Sequence, residues 1–283
     1  YLLEGPDPVL VETGSQSSLP SLLGGLSAQG IGAGDLAAVV VTHIHLDHAG
    51  AVGDVAQAFP EATVYVHEKG ARHLADPSRL IASAGRVYGD VLDGLYGRLA
   101  PTPADRIKVL ADGEHIPVGP TRQLTAIDSP GHAKHHLGLH DSESGILFVG
   151  DAMGVRLPDV GVLRPATPPP DFDLDLAASS LHRFAERQPE ALALAHYGLM
   201  PGDTTAALEE AEDALRRWAA VAAAAWQRDG DVEAALADTF GDDMAGIDDK
   251  SRRRMETLNG IHTNADGLKR WLATRTSAAQ SDL

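Results

Sequence analysis

The sequence predicts an α/β fold followed by a helical C-terminal extension, and three observations carry that reading. Over roughly the first two-thirds of the 283 residues, short β-branched runs alternate with segments of helical spacing, the pattern of strands joined by helices. From Asp203 onward the chain is rich in Ala, Leu and Arg and reads as helix. Between these, several apolar runs end on histidine or aspartate, as expected where a sheet presents functional residues along one rim.

The elements follow in order. "YLLEG" and "PVLVETG" form a hairpin around Pro6-Asp7-Pro8. "LPSLLGGLSAQG" is a helix ending at Gly30. "LAAVVVTH" is a buried strand, "DVAQAFP" a short helix and "ATVYVH" the next strand. Residues 68–100 show helical spacing at Leu80, Val87, Leu92, Leu95 and Leu99 and read as a helical insertion. Strands return as "RIKVL", "HIPV", "RQLTAIDS", "LGLHD" and "GILFVG", with "DSESG" as the turn between the last two. "RPATPPPDFD" cannot be regular, because proline removes donors and fixes φ. "LDLAASSLHRFAERQ" is a helix and "EALALAH" a strand. The expected division is a catalytic domain over 1–202 and a helical extension over 203–283.

Composition narrows the function classes. The formal charge is -17, a field that disfavours nucleic acid and anionic lipid surfaces as partners. There is no cysteine, so disulfides, thiolate nucleophiles and thiolate metal ligands are excluded. No run approaches the roughly 18–20 apolar residues of a membrane span; the longest, Trp218 to Trp226, is short and alanine-rich. "YLLEGPDPVL" lacks a basic stretch and a cleavage site, and it opens inside a strand-like pattern. Further residues are therefore expected to precede it, and a cytoplasmic location is the default expectation.

The chemistry concentrates in "AVVVTHIHLDHAG". His43 and His45 are two apart in extended chain, so both imidazoles point to one side and can reach one ion. Asp47 and His48 follow where a helix begins, point elsewhere, and could serve a second ion. His132 follows the strand in "LTAIDSPGH", Asp151 ends "GILFVGD", and His196 ends "ALALAH". Five histidines and two aspartates suit a pair of borderline divalent ions, with one carboxylate able to bridge them.

The stretches "THIHLDH", "SPGH", "FVGDA" and "AHYG" resemble those of the metallo-β-lactamase-fold hydrolases, in the branch of hydroxyacylglutathione hydrolases and lactonases. The resemblance covers roughly residues 1–202. It implies an αββα sandwich with the metals at one sheet edge. It also implies an allocation: His43, His45 and His132 on one metal, Asp47, His48 and His196 on the other, and Asp151 between them. "ETG" at Glu12–Gly14 is similar to the family's Asp-Thr-Gly element with Glu for Asp, which leaves open a hydrogen bond behind a metal ligand.

The expected activity is that of a binuclear metallohydrolase. Two cations, Zn first with Fe or Mn as alternatives, would lower the pKa of a shared water toward 7. The hydroxide would attack an ester, lactone or thioester of a small molecule. Asp47 would orient the nucleophile or shuttle a proton, and Asp151 would hold the two ions together. Rival readings are a phosphodiester or phosphotriester hydrolase on the same site, a di-iron redox protein, and a binding module with a structural metal. A structural site is usually closed and often built with cysteine, and no flavin or Fe–S segment is visible. Tyr88, Leu92, Arg164 and Tyr197 are candidate substrate contacts. The first two lie in the insertion and Arg164 opens the proline-rich loop. These segments would wall an apolar pocket, or else the insertion docks its apolar face on the sandwich or a partner subunit. The C-terminal helices would brace the insertion or form a homodimer contact. His67, His73, His115, His140, His182 and His262 are read as surface or capping residues, and His135 or His136 as a possible support for a ligand. "KSRRR" at 250–254 is read as a charged helix that neutralises itself.

Overall fold

The computed structural model describes residues 1–281. The chain divides into two compact units, residues 1–128 with 135–145, and residues 129–134 with 146–283.

The first unit holds the hairpin and the parallel strands. β1 (Leu2–Leu3) pairs antiparallel with β2 (Val9–Val11), with Leu2 opposite Leu10. β2, β3 (Ala38–Val40), β4 (Thr63–His67) and β5 (Ile107–Leu110) then run parallel in that order. Parallel neighbours require crossover connections. The first crossover is α1 (Leu19–Ala28), the second α2 (Leu46–Ala49) with α3 (Val52–Ala58). The third is α4 (Glu68–Ala75), α5 (Ser78–Tyr88) and α6 (Leu92–Tyr96). The expected helical insertion is thus the crossover from β4 to β5. β2 and β3 are buried at every residue, which explains why "VLV" and "AVV" lack a polar alternation. Val39, Val41, Ile44, Val52, Val64, Val66 and Leu74 form the core between strands and helices. This unit also carries an antiparallel ladder of β6 (His115–Pro117), β7 (Gln123–Asp128) and β8 (Leu137–Asp141). The turn after β8 closes with the Gly145 amide on the Asp141 carbonyl at 3.0 Å.

The second unit pairs β9 (Ile146–Gly150) in parallel with β12 (Ala191–Leu194), connected through α7 (Leu174–Ala185). Two short ribbons escaped the sequence reading. One pairs β10 (Val155–Arg156) with β11 (Leu163–Arg164), and the other adds β13 (Gly198–Leu199) to β12. The remaining chain is α8 (Thr204–Trp226), α9 (Val232–Phe240), α10 (Asp249–Asn259) and α11 (Ile261–Ser281). Residues beyond 203 therefore share a compact unit with β9 and β12. α8 buries Ala207, Leu208, Ala211, Leu215, Trp218 and Ala222 along one face, the three-to-four spacing of an amphipathic helix. Of its run from Trp218 to Trp226, Trp218, Ala219, Ala222 and Ala225 are buried while Trp226 is exposed, and Trp218 stacks on Phe240 at 4.7 Å. Asp173, Asp203, Asp231 and Asp248 cap α7 to α10 by accepting backbone amides. Among the described residues, no helix is long and apolar enough to cross a membrane.

Candidate metal centre

β3 stops at Val40, and the chain continues extended through His45, the N-cap of α2. The rings of His43 and His45 meet as expected from their spacing, with His43 Nε2 3.0 Å from His45 Nδ1. His43 Nδ1 faces the Thr42 hydroxyl at 3.0 Å. One turn on, Asp47 and His48 are in the short helix, and His48 Nε2 lies 3.5 Å from Asp47 Oδ2. His48 Nδ1 contacts Glu12 Oε2 at 3.0 Å, while Glu12 Oε1 accepts the Thr42 amide at 2.7 Å. The longer carboxylate of "ETG" therefore makes the supporting bond that the sequence left open. Glu12 holds a φ of 66° to do so, a region non-glycine residues seldom adopt. Thr13 and Gly14 fasten the same loop by donating amides to the His48 carbonyl at 2.9 and 3.1 Å.

His135 and His136 belong to the same unit. His135 Nδ1 accepts the Ile44 amide at 3.4 Å, a long bond. The His136 ring is buried 5.1 Å from that of His43. These are supporting positions behind the His43–His45 segment.

The second unit gathers the other three. His132 Nε2 lies 3.7 Å from Asp151 Oδ2, and His196 Nε2 lies 3.5 Å from Asp151 Oδ1. Asp151 thus turns one oxygen to each histidine. His132 Nδ1 donates to the Ala166 carbonyl at 3.0 Å, which directs Nε2 to the carboxylate. The "SPGH" turn is tied to α7: Ser180 Oγ donates to the Pro130 carbonyl at 2.6 Å and the Asp173 amide to the Gly131 carbonyl at 2.9 Å. Gly131 has a φ of 134°, and a Cβ there would lie 2.3 Å from the Ala177 backbone, so only glycine allows this approach.

The expected substrate contacts fare differently. Tyr88 is half-buried, with its ring 4.9 Å from that of Tyr96. Burial raises its phenol pKa, against a hydrogen bond from Tyr96, and the Asp47 charge adds a smaller rise. Leu92 is 7% exposed and belongs to the core of the first unit. It docks the insertion, the second of the two expectations for this face. Arg164, expected at the substrate, is 2% exposed. Its guanidinium is spent on Glu256 Oε1 at 2.7 Å and the Asn259 carbonyl at 3.0 Å, so it fastens the C-terminal helices. Tyr197 follows His196 with a φ of 69° and is 52% exposed, beneath the Arg254 guanidinium at 5.3 Å.

Of the remaining histidines, His67 caps α4 by accepting the Lys69 amide. Its Nε2 lies 3.2 Å from Asp128, and burial lowers its pKa despite that carboxylate. His182 pairs with Glu212 and His262 with Glu233. In the basic run of α10, Arg254 pairs with Asp159 outside the helix.

These features define the class of protein. The metallo-beta-lactamase superfamily profile matches residues 1–196, and the chain belongs to that superfamily. Its fold is the metallo-β-lactamase fold with a C-terminal helical extension. The chain is similar to the metallo-beta-lactamase fold-containing protein ST1585 of Sulfurisphaera tokodaii, 31% identical over 57% of this chain and 60% of the relative. The solved structure of an archaeal superfamily protein of that name superposes with a TM-score of 0.68 at 24% identity, over 95% of this chain and 91% of the other. Acyl-coenzyme A thioesterase MBLAC2 of Gallus gallus is 35% identical over 48% of this chain and 50% of its own length. The chain thus spans between half and two-thirds of these curated relatives. TTHA1623, solved in a di-iron-bound form, is 26% identical over 71% of this chain and 87% of its own, with a TM-score of 0.53.

Proposed function

We propose that this chain is a two-metal hydrolase of ester-type bonds in small molecules, with acyl thioesters as the first class to test and lactones and simple esters beside them. His43, His45 and His132 would hold one ion, Asp47, His48 and His196 the other, and Asp151 would serve both. The observation that carries the reading is Asp151, one oxygen toward His132 and the other toward His196 at 3.7 and 3.5 Å. Ligand atoms about 2.1 Å from a tetrahedral ion stand about 3.4 Å apart. The separations of 3.0 Å for His43–His45 and 3.5 Å for Asp47–His48 fit that spacing. The Nδ1 atoms of His43, His48 and His132 are engaged from behind by Thr42, Glu12 and Ala166, the usual arrangement for a metal-binding imidazole.

Divalent ions held there would supply Lewis acidity, acidifying water and polarising a carbonyl. The protein's own part is to orient and to move protons. Asp47 offers a carboxylate oxygen that can take a proton from the attacking water and pass it to the leaving group. Tyr88, half-buried in the insertion, would steer the acyl portion. Zn is the first expectation for the metal; similarity to a protein with a di-iron form keeps iron in view.

The thioester preference draws on similarity to MBLAC2 over half of this chain. The test is turnover by metal-defined protein of acyl thioesters, lactones, aryl esters and phosphodiesters. Hydrolysis of thioesters or oxygen esters that is lost in His132→Ala supports the reading. Cleavage of phosphodiesters alone would replace it with the phosphoesterase reading.

A further inference from the structure

We propose that the C-terminal helices α10 and α11 set the orientation of the His132 ring, with Asn259, Asn264 and Thr167 as positioning residues. This rests on the reading of His132 as a metal ligand. These helices lie beyond the span matched to the superfamily.

The link is the Ala166 carbonyl. A carbonyl can only accept, so the 3.0 Å bond from His132 Nδ1 places the proton on Nδ1 and the lone pair on Nε2. Ala166 sits in a strap just after β11, flanked by Pro165 and by Pro168. Proline has no amide donor, so the strap is poorly equipped to hold itself through a ladder. α10 and α11 hold it. Asn259 Nδ2 donates to the carbonyls of Arg164 and Pro165, both at 3.1 Å. Asn264 Oδ1 accepts the Thr167 amide at 2.6 Å and the Thr167 hydroxyl at 2.9 Å. The two asparagines are joined, Asn264 Nδ2 donating to Asn259 Oδ1 at 2.8 Å. Residues on both sides of Ala166 are therefore pinned by one pair of carboxamides.

The packing is as tight as the bonding. Thr167 is 0% and Asn264 1% exposed. A Cβ on Gly267 would fall 1.7 Å from the Thr167 carbonyl oxygen, so α11 meets the strap backbone to backbone. Apolar side chains would suffice to attach a helical extension. Buried carboxamides aimed at the carbonyls and amides around one residue do more, because they fix where that residue's own carbonyl points. Releasing the strap lets Ala166 drift, and His132 then loses the partner that fixes its tautomer.

The experiment uses the full chain. Long-range 1H–15N correlation of histidine rings reads the His132 tautomer in metal-free protein, and chelator competition reads zinc affinity. Wild type should show a proton on Nδ1. Thr167→Val and Asn264→Ala should lose that single tautomer and bind zinc at the three-histidine site about 10- to 100-fold more weakly. The other site should change far less, and Thr167→Ser should behave as wild type. Arg122→Met breaks the Arg122–Asp141 pair of the first unit, lowers stability without removing any bond to the strap, and should leave tautomer and affinity as they were. Unchanged tautomer and zinc affinity in folded Thr167→Val, or an equal loss in Arg122→Met, would overturn the proposal. If wild type takes up no metal, the proposed function fails, while the tautomer measurement still decides the role of the strap.

Discussion

At the scale of single residues, the site depends on what stands behind each imidazole. Glu12 accepts an unfavourable backbone conformation, φ 66°, and in return spans Thr42 and His48. Glu12→Gln keeps the shape and removes the charge that favours the donor form of His48 Nδ1. Metal affinity at the proposed Asp47–His48–His196 site should fall about tenfold or more, read by chelator competition, with the fold kept. On the proposed reading, Asp151→Asn should cost orders of magnitude in turnover, since it replaces the carboxylate proposed to serve both ions with a neutral amide. A separate residue pair sets acid stability. Burial would push the Asp141 carboxyl up, but hydrogen bonds from Arg122, Ser144 and the Glu143 amide bring it down to about 2. A carboxyl lowered in the folded state stabilises above its ordinary value of 3.8, and that contribution is lost as pH falls toward 2. The shift corresponds to about 2 kcal/mol. Arg122→Met should lose at least that amount at neutral pH in urea melts and flatten the acid limb of the stability curve. The residues proposed as ligands stand out in the sequence because H-x-H-x-D-H is rare and each partner ends an apolar strand. Ala166 does not, because a backbone carbonyl carries no sequence signal.

At the scale of elements, the sheet explains both what could be read and what could not. β2, β3 and β4 are largely buried, valine-rich runs, and such runs announce themselves. The β10–β11 ribbon has two residues per strand, too few for any period, so it emerges only from tertiary pairing. Residues 68–100 read correctly as helix, yet their role as a parallel crossover depends on β5 pairing with β4, which spacing does not reveal. Leu92 marks the difference between wall and anchor. Leu92→Ala should cost about 2–4 kcal/mol of stability, as for a buried leucine, whereas Tyr88→Phe should leave the melting curve near wild type and change relative turnover of small and bulky acyl substrates. Equal kinetics on both would make Tyr88 scaffold as well. The caps are separable from the site: Asp203→Ala should cost about 1 kcal/mol in urea melts through the start of α8, with metal content unchanged.

At the scale of the whole molecule, the chain joins the superfamily-matched residues 1–196 to a C-terminal helical extension. Its charge of -17 and lack of cysteine leave histidine and carboxylate as the means of holding metal and argue for small substrates over polyanions. The substrate class was not legible, because a metal pair acts on many acyl and phosphoryl groups and the fold alone does not choose among them. The central claim is that these seven side chains hold two ions that act together. Metal content per chain at saturation, measured by mass spectrometry alongside turnover in wild type, His132→Ala and His196→Ala, tests it most directly. The account predicts two ions in active wild type, one in each variant, and turnover lost in both. A single ion per chain in fully active protein would contradict it.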